Sequence, residues 1–195
     1  MSNRIVLAVL LVVSPAQARP IGMYVGGGLG TALNGPGALD GGFGGHVALG
    51  LRGRHWGGEL GGISAELHDD TGTYQAVTPA ILVTVRHVVD RHEMDSGFAR
   101  WFEFHAKAGP SWTWINGDAA AGPPDRTSGF GFVIGGGVRW VFGGLGVSAD
   151  VTMVRMRLHK DATHDVRDEL GLRDAPAVDL AGDVVLATLG FGFVL

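Results

Sequence analysis

Histidine and carboxylate residues stand close together in two polar segments of the sequence. The first segment holds His68, Asp69 and Asp70, and the second holds His159, Asp161 and His164. Imidazole and carboxylate groups bind divalent metal ions, and the same groups serve in general acid–base catalysis. Their spacing matches no diagnostic pattern for either chemistry, so we expect solvated loop residues, with no metal site and no catalytic centre.

A second set of ionisable residues alternates with apolar residues along the chain. Its members are Arg52, Glu59, Arg86, Glu103, His105, Lys107, Arg139 and Asp150. We expect the three carboxylates of this set to pair with Arg86, Lys107 and Arg139, because unpaired charges in a narrow enclosed space are costly. Such pairs favour a structural plug, and the alternative is an ion-pair gate with a small selectivity filter. Whether these residues form a plug or a gate depends on the secondary-structure elements that position their side chains.

The composition restricts the class of protein. The chain has 195 residues, of which 46% are hydrophobic and only 17% are charged, and it contains no cysteine. Its net charge of −4 argues against a nucleic-acid partner, and the absence of cysteine excludes disulfides and thiolate metal sites. The 34 glycines follow no three-residue period, which excludes a collagen-like chain. We expect a single domain without a cofactor.

The first 18 residues have the features of a secretory signal peptide. Arg4 precedes the apolar run Ile5–Val13, and Ala16 and Ala18 form a small-x-small cleavage pattern. The run is too short for a transmembrane helix, which needs about 20 residues. We therefore expect cleavage after Ala18, leaving residues 19–195 as the mature domain.

Eight segments show the period-two alternation that is typical of β-strands. They cover residues 21–33, 42–52, 56–67, 76–89, 98–115, 128–142, 145–157 and 183–195. Apolar residues occupy one face of these strands, and the ionisable set described above occupies the other. In the third segment the alternation fails after Gly61 and Gly62, where we expect a β-bulge that returns Ile63, Ala65 and Leu67 to the apolar face.

The connections between the predicted strands alternate in length. Short connections cover residues 53–55, 90–97 and 143–144, and longer polar connections cover 34–41, 68–75, 116–127 and 159–182. This asymmetry predicts an all-β fold, an eight-stranded antiparallel transmembrane β-barrel with short periplasmic turns and longer extracellular loops. Such a barrel is about wide enough inside for side chains to fill, so we expect inward glycines to make room for the long charged side chains.

Aromatic residues lie near both ends of the apolar faces. Trp56, Phe102, Trp140 and Phe142 are near the short connections, and Phe43, Trp112, Trp114 and Phe130 are near the long ones. Two aromatic belts at the two interfaces indicate a barrel in a bilayer rather than a soluble barrel.

The last predicted strand alternates without a break through Leu189, Phe191, Phe193 and Leu195. Together with the signal peptide, the eight strands and the loop asymmetry, it makes the mature chain resemble the outer-membrane barrels of the OmpA, OmpX and OmpW type. The resemblance is architectural, and it implies that these four residues form the C-terminal signal read by the outer-membrane assembly machinery. Barrels of this kind often end in phenylalanine, whereas this chain ends in Leu195.

The resemblance implies a location in the outer membrane of a Gram-negative bacterium, a monomer, and contact with outer-membrane lipid. We expect a structural or surface-interaction role, with the lumen filled by ion pairs. One alternative is a narrow porin-like channel for ions or small solutes. Another is an enzyme acting on envelope lipid or peptide through His68, Asp69, Asp70 and His164. We expect no enzymatic activity, because no spacing in the sequence is diagnostic of it.

Overall fold

Eight strands form the protein. The structure, a computed structural model, describes residues 22–36, 39–69, 72–93, 99–119, 126–158 and 182–194. The strands are β1 (Gly22–Asn34), β2 (Asp40–Arg52), β3 (Trp56–Asp69), β4 (Gly72–Glu93), β5 (Ala99–Ala119), β6 (Arg126–Phe142), β7 (Leu145–Leu158) and β8 (Gly182–Val194). Within these ranges no helix is long and apolar enough to cross a membrane.

Each strand pairs antiparallel with the next, and β8 pairs with β1, so the sheet closes into a barrel. The predicted eight-stranded antiparallel barrel is therefore confirmed. The end of the barrel that carries the connections 53–55, 94–98 and 143–144 is called the short-turn end below, and the opposite end is the long-loop end. The predicted signal peptide, Leu195 and the connection 159–181 lie outside the described residues.

The turn at Gly143 and Gly144 shows how the sequence fixes one short connection. Both residues have positive φ, 57° and 92°, which matches the two-residue hairpin turn whose twist suits antiparallel strands. Phe142 pairs with Leu145 across this turn, and the amide of Val194 donates to the Gly144 carbonyl oxygen at 2.7 Å. The turn therefore also holds the end of the closing strand.

The hairpins at the long-loop end are longer than predicted. Residues 68–75 were expected to form a loop, but His68 pairs with Thr73 and Asp69 with Gly72. β5 likewise continues to Ala119, beyond its predicted end. Alternation of apolar residues marks only the part of a strand with one apolar face, so it did not reveal these polar extensions.

The predicted β-bulge at Gly61 and Gly62 is wrong. The pairing of β3 with β4 runs without interruption from Trp56 to Asp69. Ile63, Ala65 and Leu67 consequently point into the barrel, where all three are buried. The apolar residues change face because the interior itself changes from polar to apolar along the barrel axis.

The interior of the long-loop half is an apolar cluster. Its buried members are Ala32, Leu39, Ile63, Ala65, Leu67, Ala76, Ala80, Leu82, Ile115, Val133, Val154, Met156, Val184 and Leu186. Leu39 comes from the β1–β2 connection, where the Gly35 amide donates to the Leu39 carbonyl oxygen at 3.0 Å. The cluster therefore closes the barrel with its own wall and one connecting segment. The short-turn half holds the ionisable side chains.

Two prolines interrupt the ladder between β4 and β5. The residue pairing includes Val77 with Trp114, Ala80 with Ser111, and Val83 with Ala108, but skips Pro79 and Pro110. Proline has no amide hydrogen, so neither Pro79 nor Pro110 can donate a hydrogen bond to this ladder. The Thr78 and Thr113 hydroxyls hydrogen-bond to each other across this seam at 2.9 Å.

Candidate functional site

One buried carboxylate organises the ionic interior of the short-turn half. Glu103 in β5 is 1% exposed. Its Oε2 atom accepts hydrogen bonds from Arg52 Nη2 at 2.6 Å and Arg86 Nη1 at 3.2 Å, and its Oε1 atom lies 3.5 Å from Arg139 Nη1. These arginines belong to β2, β4 and β6, so a single side chain connects four strands through charge-assisted hydrogen bonds.

Trp101 belongs to the same cluster, although the predicted set did not include it. Its indole Nε1 donates to Glu103 Oε2 at 3.0 Å, and Arg52 Cζ lies 5.7 Å from the centre of a Trp101 ring. Trp101 shares strand parity with Glu103, which was the available signal, but aromatic residues were assigned only to the outer belts. Its ring packs against one cation while its N–H group satisfies the carboxylate.

A second carboxylate, Glu59 in β3, accepts a hydrogen bond from the Tyr24 hydroxyl. Its other oxygen lies 3.9 Å from Lys107 Nζ. Arg139 connects this group to the first one, because its Cζ atom lies 5.2 Å from the centre of the Tyr24 ring. Tyr24 was also missing from the predicted set, for the same reason as Trp101.

The third carboxylate pairs with a histidine. Asp150 Oδ1 lies 2.5 Å from His105 Nε2, and both side chains are buried. Within the described part of the chain, His105 Nδ1 and Asp150 Oδ2 have no hydrogen-bond partner. A further histidine, His46, faces the lumen from β2, and its Nδ1 atom lies 3.2 Å from Thr188 Oγ1.

The structure brings the predicted ionisable residues together on the inner face. Glu103 contacts Arg86 and Arg139, and Glu59 contacts Lys107. Asp150 contacts His105 rather than one of the three expected cations, and Arg52 makes the shortest ion pair of Glu103. The sequence determines which residues face inward. The tilt of the strands determines which of them meet.

Inward glycines make room for the larger lumen side chains. A β-carbon at Gly50 would lie 2.3 Å from Tyr24 Cε1, and one at Gly28 would lie 2.8 Å from His46 Cε1. By contrast, Gly58 is exposed on the outer face, and no atom lies within 4 Å of a β-carbon there. Since barrel interiors of this size leave little space, each bulky inward side chain requires a small neighbour across the strands.

A cavity of about 30 Å³ lies inside the short-turn half. Its polar lining consists of Tyr24, His46, Glu59, His105, Lys107, Arg139, Ser148 and Asp150. None of its lining residues belongs to the apolar cluster of the long-loop half. The cavity is therefore a pocket in the polar half and does not extend into the apolar half.

The outer face is apolar over most of its height. The exposed aromatic side chains include Phe43, Trp56, Phe104, Trp112, Trp114, Phe130, Phe132, Trp140, Phe142, Phe191 and Phe193. Phe102 is half-buried, and its ring packs edge-on against Phe104 with centres 5.3 Å apart. Exposed charges such as Arg100 and Arg155 lie at the two ends of the barrel. Between those ends, the outward positions of the described strands carry no charged residue.

The polar loop residues form no described site. His68 is on the outside of β3, with Nδ1 3.2 Å from Thr73 Oγ1 and Nε2 3.8 Å from Glu66 Oε1. No group of three potential metal ligands occurs among the described residues. The side chain of Asp69, and all of Asp70, His159, Asp161 and His164, lie outside what the structure describes.

The solved structures that are similar to this chain include two outer-membrane proteins. Neisserial surface protein A aligns with a TM-score of 0.54 and 10% identity, over 88% of this chain and 96% of that chain. A major outer membrane protein from Thermus thermophilus aligns with a TM-score of 0.48 and 15% identity, over 91% and 100% of the two chains. No protein-family model matches this sequence, and neither does any curated protein. The likeness to the neisserial protein shows a shared fold.

Proposed function

We propose that this chain is an outer-membrane β-barrel whose closed, packed lumen serves a structural or surface-interaction role. The charge-free apolar outer face is the observation that supports this proposal most strongly. Soluble proteins rarely expose a continuous apolar surface larger than a few hundred Å². Here exposed apolar side chains surround the whole barrel, and Leu189, for example, is 72% exposed. Lipid is the solvent that suits such a surface.

The height of this face fits a bilayer. On β1 the outward apolar residues run from Met23 to Leu33. At about 3.4 Å per residue and a strand tilt of about 40°, they span about 26 Å along the barrel axis, close to the apolar band of known outer-membrane barrels. The aromatic side chains near both ends suit the two interfaces.

The interior supports a barrel that does not conduct. The ion pairs around Glu103 occupy the short-turn half, and the apolar cluster with Leu39 occupies the long-loop half. A continuous water path would have to pass both. A narrow channel is the second candidate, because the polar half contains a cavity.

The terminal strand supports the proposed recognition by the assembly machinery. Leu189, Phe191 and Phe193 all point outward and are exposed. We propose that this apolar stripe is read during insertion into the outer membrane. Phe193→Ser should lower the amount of folded protein in the outer membrane while refolding in detergent is retained. Equal outer-membrane levels of the variant and the wild type would contradict this.

Two measurements test the proposed function. If the chain is an outer-membrane barrel, it should partition with the outer membrane and migrate differently on gels before and after heating. A protein that remains in aqueous solution without detergent would contradict the proposal and indicate a soluble barrel. In planar bilayers, the closed lumen should give no discrete openings, and regular openings would favour the channel.

A further inference from the structure

The lumen side chains described above do not balance in charge. With neutral histidines, the cations Arg52, Arg86, Lys107 and Arg139 face three carboxylates, Glu59, Glu103 and Asp150. Enclosed charge that lacks a counter-charge is costly, because the surrounding wall has a low dielectric constant. One further negative charge would balance these seven side chains.

The excess charge is located on two of the four cations. Glu103 is closest to Arg52, at 2.6 Å, whereas Arg139 Nη1 is 3.5 Å away. Lys107 Nζ is 3.9 Å from Glu59, which also accepts the Tyr24 hydroxyl. Strong charge-assisted hydrogen bonds measure about 2.7–2.9 Å, so Lys107 and Arg139 are the least compensated cations.

Both of these cations line the same cavity. His46 also lines it and can contribute an N–H donor, and Ser148 adds a hydroxyl group to the lining. Each carboxylate in the lining has an ion-pair contact, Asp150 with His105 and Glu59 with Lys107, and Asp150 Oδ2 has no hydrogen-bond partner among the described residues. A volume of about 30 Å³ has room for roughly two water molecules. It therefore suits a halide and is too small for a phosphate ester.

We propose that the lumen binds one small monovalent anion, of halide size, between Lys107 and Arg139. The anion balances the charge of the ionisable lumen side chains and takes part in no reaction. The Arg139 side chain is 20% exposed, so the site can exchange with solvent at the short-turn end. The proposal concerns the lumen alone and does not depend on the membrane location.

Bromide provides the probe, because it scatters anomalously and replaces chloride. Crystals of the refolded wild-type protein grown in sodium bromide should show an anomalous peak between Lys107 Nζ and the Arg139 guanidinium. A cavity that contains only water density would overturn the proposal.

A solution experiment gives an independent test. The protein in detergent is unfolded thermally in bromide and in gluconate at equal ionic strength. The unfolding equilibrium constant should fall about tenfold for each tenfold rise in bromide above its dissociation constant. Lys107→Gln should lose this dependence, whereas Arg155→Gln, which changes an exposed arginine at the long-loop end, should keep it. Equal stability of the wild-type protein in the two salts would contradict anion binding, and so would the same bromide response in Lys107→Gln.

Discussion

Replacing Glu103 with glutamine should destabilise the barrel strongly. The substitution preserves the shape of the side chain and removes the charge that three arginines share. Arg52 determines the cost, because its side chain is only 6% exposed and cannot turn to solvent. Removing one partner of a buried ion pair costs about 3–5 kcal/mol.

The other two arginines should add little to that cost. The side chains of Arg86 and Arg139 are 19% and 20% exposed, and Arg86 also donates to the Gly53 carbonyl oxygen. We therefore expect Glu103→Gln to lose about 3 kcal/mol, the lower end of the range, which is more than a hundredfold in the unfolding equilibrium constant.

The assay is urea unfolding of the protein in lipid vesicles, with the folded fraction read from its position on unheated gels. Glu66→Gln is the matched control, because this carboxylate lies at the long-loop end with its side chain 45% exposed. It should change the midpoint very little. A loss below about 1 kcal/mol for Glu103→Gln, within the range of an exposed pair, would refute the assigned role of this carboxylate.

A double variant separates lost charge from lost packing. Arg52→Met combined with Glu103→Leu replaces both partners with apolar side chains of similar size. Because such replacements of buried ion pairs are often neutral or stabilising, the double variant should be more stable than Glu103→Gln alone. A double variant that is less stable would indicate that these residues act mainly through shape.

Two further substitutions test the packing of the wall. Gly50→Ala places a methyl group against the Tyr24 ring and should cost about 1–3 kcal/mol in urea unfolding, whereas Gly58→Ala, which meets no atom within 4 Å, should be neutral or slightly stabilising. Equal midpoints for the two variants would show that Tyr24 does not occupy the space above Gly50. Pro110→Ala adds an amide at a position that the flanking pairs, Ala80 with Ser111 and Val83 with Ala108, place opposite Ile81, and hydrogen exchange at position 110 should be slow if this amide donates across to β4. Rapid exchange of that amide would mean that β4 and β5 are separated at this point.

Much of the barrel could be predicted from the sequence because the chain alternates strictly in the middle of each strand. β5 is the clearest case, since Phe104 and Trp112 point outward while Glu103 and Lys107 point inward. That parity identified the ionisable lumen residues without any knowledge of the pairing.

The remainder depended on information that parity does not carry. Ile63 and Leu67 were assigned to the outer face because an apolar residue has two suitable surroundings in a barrel, lipid and an apolar interior. Trp101 and Tyr24 were missed for the converse reason, since each combines an apolar ring with a hydrogen-bond donor. The pairing of Asp150 with His105 depends on strand register and tilt, which alternation cannot determine.

Tryptophan fluorescence in vesicles with brominated acyl chains tests the central claim most directly. Bromine quenches only indoles that reach the lipid. With the other tryptophans changed to phenylalanine, a variant that keeps Trp112 on the outer face should be strongly quenched. A variant that keeps only Trp101, whose indole binds Glu103 inside the barrel, should be much less affected. Equal quenching of the two variants, or no quenching of Trp112, would contradict a lipid-facing apolar wall around an ion-paired interior.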